Sequence, residues 1–364
     1  MEVTTIGIDL AKNVFAVCGA DESGRPVLRR GLRRNQMLSF FGQLKPCVVG
    51  MEACGGAHWW ARKLLELGHT VKLLHPRAVT PYRSGAKNDG NDAAAVCEAA
   101  SRPQLRSVAV KSVAQQDLLA VHRVRQLLIR QATACSNQLR ALLHERGIVV
   151  RQGAKALQQT LAELPLDNPD LSGEVRTLLM EVGGWWQQTQ VRIEQLERKL
   201  KDQGDADERS RRLQEMSGIG PITATAVLAL VGNAREFKSG RHLSAWLGLV
   251  PGQHSSGGKT VLLGITKHGN RYLRTLLIHG ARSALRTCVR RTDPHARWMQ
   301  QLLKRRGPNV AAVAVANKQA RIMWALLTRG DRYLSERAVF GRAPSSADAA
   351  VRRVRNQKLL MLKD

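Results

Sequence analysis

The sequence predicts an α/β domain followed by an all-α region, and three observations predict it. Short apolar runs separated by turn residues fill the stretch from Val3 to His75. From Ser112 onward the apolar residues recur at helical spacing. After Met216 a Gly-Ile-Gly turn joins short apolar helices of the kind that pack into a bundle.

Residues 3–9 read as a strand and Val14–Ala20 as a second. The turn Asp21-Glu22-Ser23-Gly24 leads to a third at Val27–Leu32. A helix over about 35–44 follows, then a strand at 47–52, a helix at about 57–67 stopped by Gly68, and a strand at 69–75. A further helix starts near Asp89. The order β-β-β-α-β-α-β-α is that of an RNase H or Holliday-resolvase-like domain. In such a mixed sheet the first strand is central and its end meets the end of the fourth.

One long helix is expected from Ser112 to Gly147, spanning roughly 50 Å, with Leu118, Val121, Leu128 and Leu139 on its apolar side. The Gly/Pro/Asp-bearing stretch Gly153–Gly173 separates it from a second long helix at about 174–202. The two are expected to form an antiparallel helical arm, as a coiled-coil, or a dimerisation hairpin. Next comes Met216-Ser217-Gly218-Ile219-Gly220-Pro221 and the helix Ile222–Val231, a helix-hairpin-helix pattern. There Gly218 and Gly220 would let backbone N–H groups approach a phosphate. Helices at 240–247, 270–290, 295–306 and 309–328 surround a Gly/Ser loop at 251–264. The expected division is 1–110, 111–208 and 209–330, with a weakly ordered basic tail at 331–364.

The 364 residues carry 57 Lys and Arg against 29 Asp and Glu, a net charge of +28. The excess is uneven, with 26 basic against 6 acidic residues after Met216. A polyanion is the natural partner, and nucleic acid the first choice. No long apolar span and no signal peptide is evident, so a cytoplasmic protein without membrane attachment is expected. Six cysteines without CxxC or zinc spacing read as reduced and mostly buried. Aromatics at 4% are too few for a single-strand binder built on stacking.

In so basic a chain, acids at strand ends and helix starts stand out. Asp9 and Glu52 each end an apolar strand, and Asp89 and Asp92 open a helix on one face. Any one alone reads equally well as a strand-end acid or helix cap. Together, on the β-β-β-α-β-α order, they predict ligands for Mg²⁺ (Mn²⁺ substituting) held against a phosphodiester. The loop Pro251–Lys259 holds Ser255 and Ser256, with Lys259, Lys267, His268 and Arg271 close behind. Its composition alone fits a flexible connector, yet a serine beside such cations also fits a nucleophile with its charge-neutralising partners.

These residues together carry a resemblance. Gly7-Ile8-Asp9, Met51-Glu52-Ala53, Lys87-Asn88-Asp89-Gly90-Asn91-Asp92-Ala93, Gly248-Leu249-Val250-Pro251 and His254-Ser255-Ser256-Gly257-Gly258-Lys259 resemble the transposases of the IS-one-ten family of insertion sequences, in its IS-eleven-eleven branch. Gly264–Arg274 is similar to that branch as well. The likeness spans about residues 3–330. It departs from the usual pattern at Thr266-Lys267-His268-Gly269-Asn270 and at Val261-Leu262-Leu263, beside the loop where phosphate contacts are expected.

The resemblance implies a D-E-D-D tetrad at Asp9, Glu52, Asp89 and Asp92, and a nucleophilic serine at Ser256, with Ser255 its neighbouring competitor. It implies recombination of donor and target DNA guided by a structured non-coding RNA, by dimers or tetramers whose active sites join the metal domain of one subunit to the serine of another. Lys259, Lys267, Arg271 and Arg274 are the candidate phosphate contacts beside the glycines. The rivals are a metal-dependent Holliday-junction nuclease without a covalent intermediate, and a helix-hairpin-helix architectural protein without catalysis. An actin-like sugar kinase is disfavoured: no second Asp-x-Gly-Gly loop follows Gly7-Ile8-Asp9-Leu10.

Overall fold

A computed structural model describes residues 2–165 and 168–336. The basic tail from Arg337 onward lies outside the described residues. The chain divides between Ser112 and Val113 into two compact units.

The first unit is a mixed α/β domain. Strands β1 (Thr5–Asp9), β2 (Val14–Ala20), β3 (Pro26–Arg33), β4 (Val48–Glu52) and β5 (Thr70–Leu74) form one sheet in the order β3-β2-β1-β4-β5. The first three run antiparallel, whereas β1–β4 and β4–β5 are parallel. Ile6, Ile8, Phe15, Val17, Val49 and Met51 share one core with Met37 and Phe41 of α1 (Met37–Gly42) and Trp60 and Leu64 of α2 (Ala57–Glu66). Alternation turns Gly7 and Gly50 to the opposite face. There α4 (Asp89–Ser101) lies on β1, β2 and β4. Between β5 and α4 the chain makes the short α3 (Pro76–Val79), which the sequence reading did not anticipate.

Among its described residues the second unit is helical apart from one hairpin. Helix α5 (Val113–His144) and α7 (Gly173–Ala206) pack side by side, and α6 (Ala154–Glu163), a helix the sequence reading did not place, lies in the stretch that separates them. Leu157 of α6 is buried in the same cluster as Leu139, Leu143, Leu179 and Trp186. Along α5 the fully buried positions near its start are Leu119 and His122, while Leu118 and Val121 are only half-buried.

Helices α8 (Glu208–Gln214), α9 (Pro221–Val231), α10 (Gly240–Trp246), α11 (Arg271–Thr287), α12 (Pro294–Arg305) and α13 (Pro308–Arg329) form the bundle. The arm and bundle belong to one unit, because α5 and α7 both pack on α9. His122 of α5 joins them, hydrogen-bonded to Tyr272 Oη (2.9 Å) and Thr225 Oγ1 (3.1 Å). Among the described residues no helix is long and apolar enough to cross a membrane. The six cysteines are all free, and Cys18, Cys47, Cys97 and Cys288 are buried, as expected.

Candidate active site

Four acids gather at the C-terminal ends of the two central strands, β1 and β4. In the parallel ladder Ile8 pairs with Met51, so Asp9 and Glu52 follow as neighbours at the two strand ends. The helix bearing Asp89 and Asp92 reaches them because two glycines let it in. Gly7 and Gly50 are ladder partners, and both lie directly beneath α4. A Cβ on Gly7 would collide with the backbone of Ala93 and Cys97. One on Gly50 would stand 2.6 Å from Ala100 Cβ.

The start of α4 is fixed locally. Asn88 is the N-cap, accepting from the Asn91 backbone N–H at 2.8 Å, and Asn91 Nδ2 donates to Ala86 O. Both acids therefore fall in the first turn, where the helix end favours negative charge.

Burial, then the charges of Asp92, Asp89 and Glu52, raises the Asp9 carboxyl above its ordinary range, against an opposing pull from Lys87. Burial and then Asp92 raise Glu52, opposed by Arg83 and Lys87. Arg83 pairs with Asp92 at 3.2 Å. Arg83 and the charge of Lys87 are thus parts of this site that sequence reasoning passed over. Their signal was a pair of cations in the Gly/Ser-bearing loop just ahead of the acids.

Carboxylate oxygens are the donors a hard divalent cation takes. Among the described residues, however, no group of three or more His, Cys, Asp or Glu side chains stands close enough to hold a metal ion. The donor chemistry fits; the side chains as folded do not converge into a cage, and Asp92 faces Arg83 instead.

The serine segment lies in the second unit and is a hairpin, which corrects the reading of a flexible connector. Strand β6 (Pro251–Gln253) pairs antiparallel with β7 (Leu262–Ile265), and His254 N–H donates to Val261 O at 3.0 Å. At the tip, Ser256 and Lys259 bridge across Gly257 (φ 55°) and Gly258 (φ 77°). Positive φ at both central residues is the requirement of a type I′ turn, which glycine meets without strain. The two serines differ. Ser255 Oγ accepts from Gln253 Nε2 (2.8 Å) and from Val261 N–H (3.4 Å). Ser256 is exposed at the tip, and its hydroxyl has no hydrogen-bond partner among the described residues.

The predicted phosphate contacts divide. Lys259, Lys267 and Arg271 are exposed on the hairpin and its anchor. Arg274 is half-buried, its Nη1 donating to Leu247 O (3.1 Å) and His268 O (3.2 Å) and so pinning the hairpin's base. Gly218 (φ 82°) abuts Gly280 of α11 so closely that a Cβ on either would strike the other's carbonyl. Its glycine is accounted for by packing. Gly220, at the start of α9, is open.

Two transposase families match these two regions: one designated DEDD_Tnp_IS110 over residues 6–147, and the Transposase IS116/IS110/IS902 family over residues 210–297. The chain is 51% identical over 338 residues to a "Probable family 20 transposase" of Pseudomonas aeruginosa, covering 92% of this chain and 99% of the relative. The chain belongs to the IS110 family of transposases. It is also 44% identical to the "Transposase for insertion sequence element IS1111A" of Coxiella burnetii, over 91% of this chain and 92% of that one. With the corresponding protein of IS1328 from Yersinia enterocolitica it shares 39% identity, over 90% and 98%. This IS110-family chain is therefore an enzyme, a DNA transposase. The match over 6–147 encloses all four acids, and the match over 210–297 encloses the serine hairpin.

Proposed function

We propose that this transposase cuts and rejoins DNA through a covalent phosphoserine at Ser256, assisted by the acids Asp9, Glu52, Asp89 and Asp92 of a resolvase-like domain. The observation that carries the reading is the contrast at the hairpin tip, where Ser255 is hydrogen-bonded into the turn and Ser256 is left exposed.

In the first step Ser256 Oγ bonds to a DNA phosphorus and loses its proton. The 3′ oxygen departs and is protonated, leaving a 5′-phosphoserine. In the second step a 3′ hydroxyl of the partner duplex attacks the same phosphorus. The serine oxygen leaves and regains a proton, so one phosphodiester is exchanged for another and no nucleotide cofactor is consumed. Asp9, Glu52, Asp89 and Asp92, once drawn together, would hold Mg²⁺, which would supply charge neutralisation to the reacting phosphate. Lys259, Lys267 and Arg271 hold non-bridging phosphate oxygens near the hairpin. Arg274 keeps the hairpin base in place, and Gly220 offers open backbone at the start of α9.

The charge of +28 serves two polyanions in this reading, the DNA and a guide RNA that carries the target sequence. The helical arm of α5 and α7 joins subunits into a dimer or tetramer, pairing the acids of one with the serine of another. The protein works on the nucleoid.

The test has two parts. Ser256→Ala abolishes strand exchange while DNA binding persists, and Asp9→Asn does the same. Ser256→Ala recombining at the normal rate would overturn the serine and favour a water-using nuclease. Sequencing the RNA that copurifies with the protein returns one discrete transcript, and a featureless mixture of cellular RNA would count against guidance.

A further inference from the structure

In the bundle, α10, α13 and the segment after α13 line an open pocket of about 470 Å³. Its cations are Arg241, Lys318, Arg321, Arg329 and Arg332, and Asp331 is the single acid among its lining residues. On α13, Lys318, Arg321, Ile322, Ala325 and Arg329 follow helical spacing and so share one face. Its apolar lining is Ile322, Trp324 and Leu326 of α13, with Leu334 of the following segment across from them.

The walls are firmly built. Gly240 lies so near the backbone of Arg321 that a Cβ there would stand 2.8 Å from its carbonyl oxygen, which brings the start of α10 against α13. Trp324 Nε1 donates to Phe237 O at 2.9 Å. Tyr333 is held at both ends: its N–H donates to Glu215 Oε2 (2.9 Å), and its hydroxyl shares a 2.7 Å hydrogen bond with His295 Nδ1. That fixes the segment carrying Asp331, Arg332 and Leu334 over α13.

Arg241, Arg321, Arg329 and Arg332 are exposed, their guanidinium groups open to an anionic ligand. Burial, and then the charge of Arg321, lowers the Lys318 ammonium below its ordinary range. None of Arg241, Arg321, Arg329 and Arg332 has an acidic partner within ion-pair distance among the described residues. The rest of this chain is no complement, since from Arg337 onward it carries seven Lys and Arg against two Asp and Glu.

We infer that this pocket seats one unstacked nucleotide of a single nucleic-acid strand, its base on the apolar lining and its phosphates on the arginines. The volume lies within the roughly 300–1,000 Å³ of small-ligand sites. An apolar lining rimmed by guanidinium groups suits a base carrying phosphate better than it suits smooth duplex backbone. Helix α10 leads from this pocket toward the hairpin, so a strand gripped here lies about 10 Å, one α10 length, from the hairpin's base. The seat depends neither on Ser256 nor on the four acids.

The test is binding in EDTA, which removes strand chemistry from the readout. The probes are a 12-nucleotide single strand, as DNA and as RNA, and a blunt DNA duplex. Arg241→Gln with Arg329→Gln weakens single-strand binding about tenfold at 0.15 M salt. It makes the log–log salt slope shallower by about 1.4, the value for two single-strand phosphate contacts. Arg297→Gln with Arg305→Gln on α12 is the control and loses less. Leu334→Asp, a change at a half-exposed position that spares folding, reproduces the loss. Whichever of DNA or RNA loses more identifies the occupant strand. An equal loss on the duplex, or a loss no greater than the control's, overturns the seat.

Discussion

Gly7 of β1 and Gly50 of β4 stand opposite one another in the parallel ladder, and α4 lies on both so closely that neither has room for a methyl group. The two strands end in Asp9 and Glu52, and the helix opens with Asp89 and Asp92. Packing of the smallest residue thus decides whether the acids meet.

Gly7→Ala pushes Cβ into helix backbone, which cannot swing aside, so overpacking of about 1–3 kcal/mol or more is expected. Gly50→Ala meets chiefly the Ala100 methyl, and Gly50→Ala with Ala100→Gly recovers part of the loss. Urea unfolding of the two singles and the double provides the check. Additivity of Gly50→Ala and Ala100→Gly would mean that the methyls do not clash.

The acids repel one another at neutral pH. Asp9 and Glu52 have folded-state pKa values above their ordinary ones, so each bears more protons folded than unfolded. Stability then falls as pH rises through the raised values. Asp9→Asn accordingly raises the melting temperature in EDTA. Millimolar Mg²⁺ stabilises the wild type and leaves Asp9→Asn unmoved. Equal Mg²⁺ responses in the two proteins would remove Asp9 from the ligand set.

At the hairpin, Ser255→Ala loses two hydrogen bonds to the turn, a cost of about 0.5–1.5 kcal/mol each. Strand exchange drops several-fold but persists, in contrast to its abolition in Ser256→Ala. Gly257→Ala and Gly258→Ala force positive φ on a residue with a side chain, at roughly 1–2 kcal/mol each, and Gly257→Asn is milder. Exchange rates measured across the five variants put Ser256→Ala lowest and Gly257→Asn above Gly257→Ala; equal rates for Ser255→Ala and Ser256→Ala would contradict the contrast at the tip.

His122 and His295 are buried and uncharged, and burial lowers each to about 4. In the unfolded chain they titrate near 6.5, so that state takes up protons first as the pH falls. Stability is whole above about 6.5, declines between 6.5 and about 4, and levels below; the loss is on the order of 3 kcal/mol per histidine. His122→Gln flattens this decline in acid-denaturation curves. An unchanged slope would show that His122 does not titrate on unfolding.

Much of this was legible in the chain. The β-strands announce themselves because turn residues bracket each apolar run, and the parallel pairing of β1 with β4 follows from their order. That order alone puts Asp9 beside Glu52. Less visible were features that depend on partners distant in sequence. The ten-residue α6 is flanked by Gly153 and Pro165, which hid it within a separating stretch, although Leu157 is completely buried. Gly257-Gly258 read as flexibility, whereas two positive-φ glycines between bridging residues make a turn. That Arg274 also pins the hairpin's base could not be read from the chain, because its two carbonyl partners, on Leu247 and His268, are placed by the fold. Arg83 was passed over for the converse reason: its partner Asp92 is brought to it by the fold.

The central claim is that a serine, and not water, takes the phosphate. The most direct measurement is mass spectrometry of the protein after reaction with donor DNA and Mg²⁺, quenched in denaturant and digested with nuclease and protease. The account predicts a nucleotide joined through phosphate to the peptide bearing Ser256, lost in Ser256→Ala and retained in Ser255→Ala. Cleaved DNA with free 5′-phosphates and no modified peptide at any time point would contradict it.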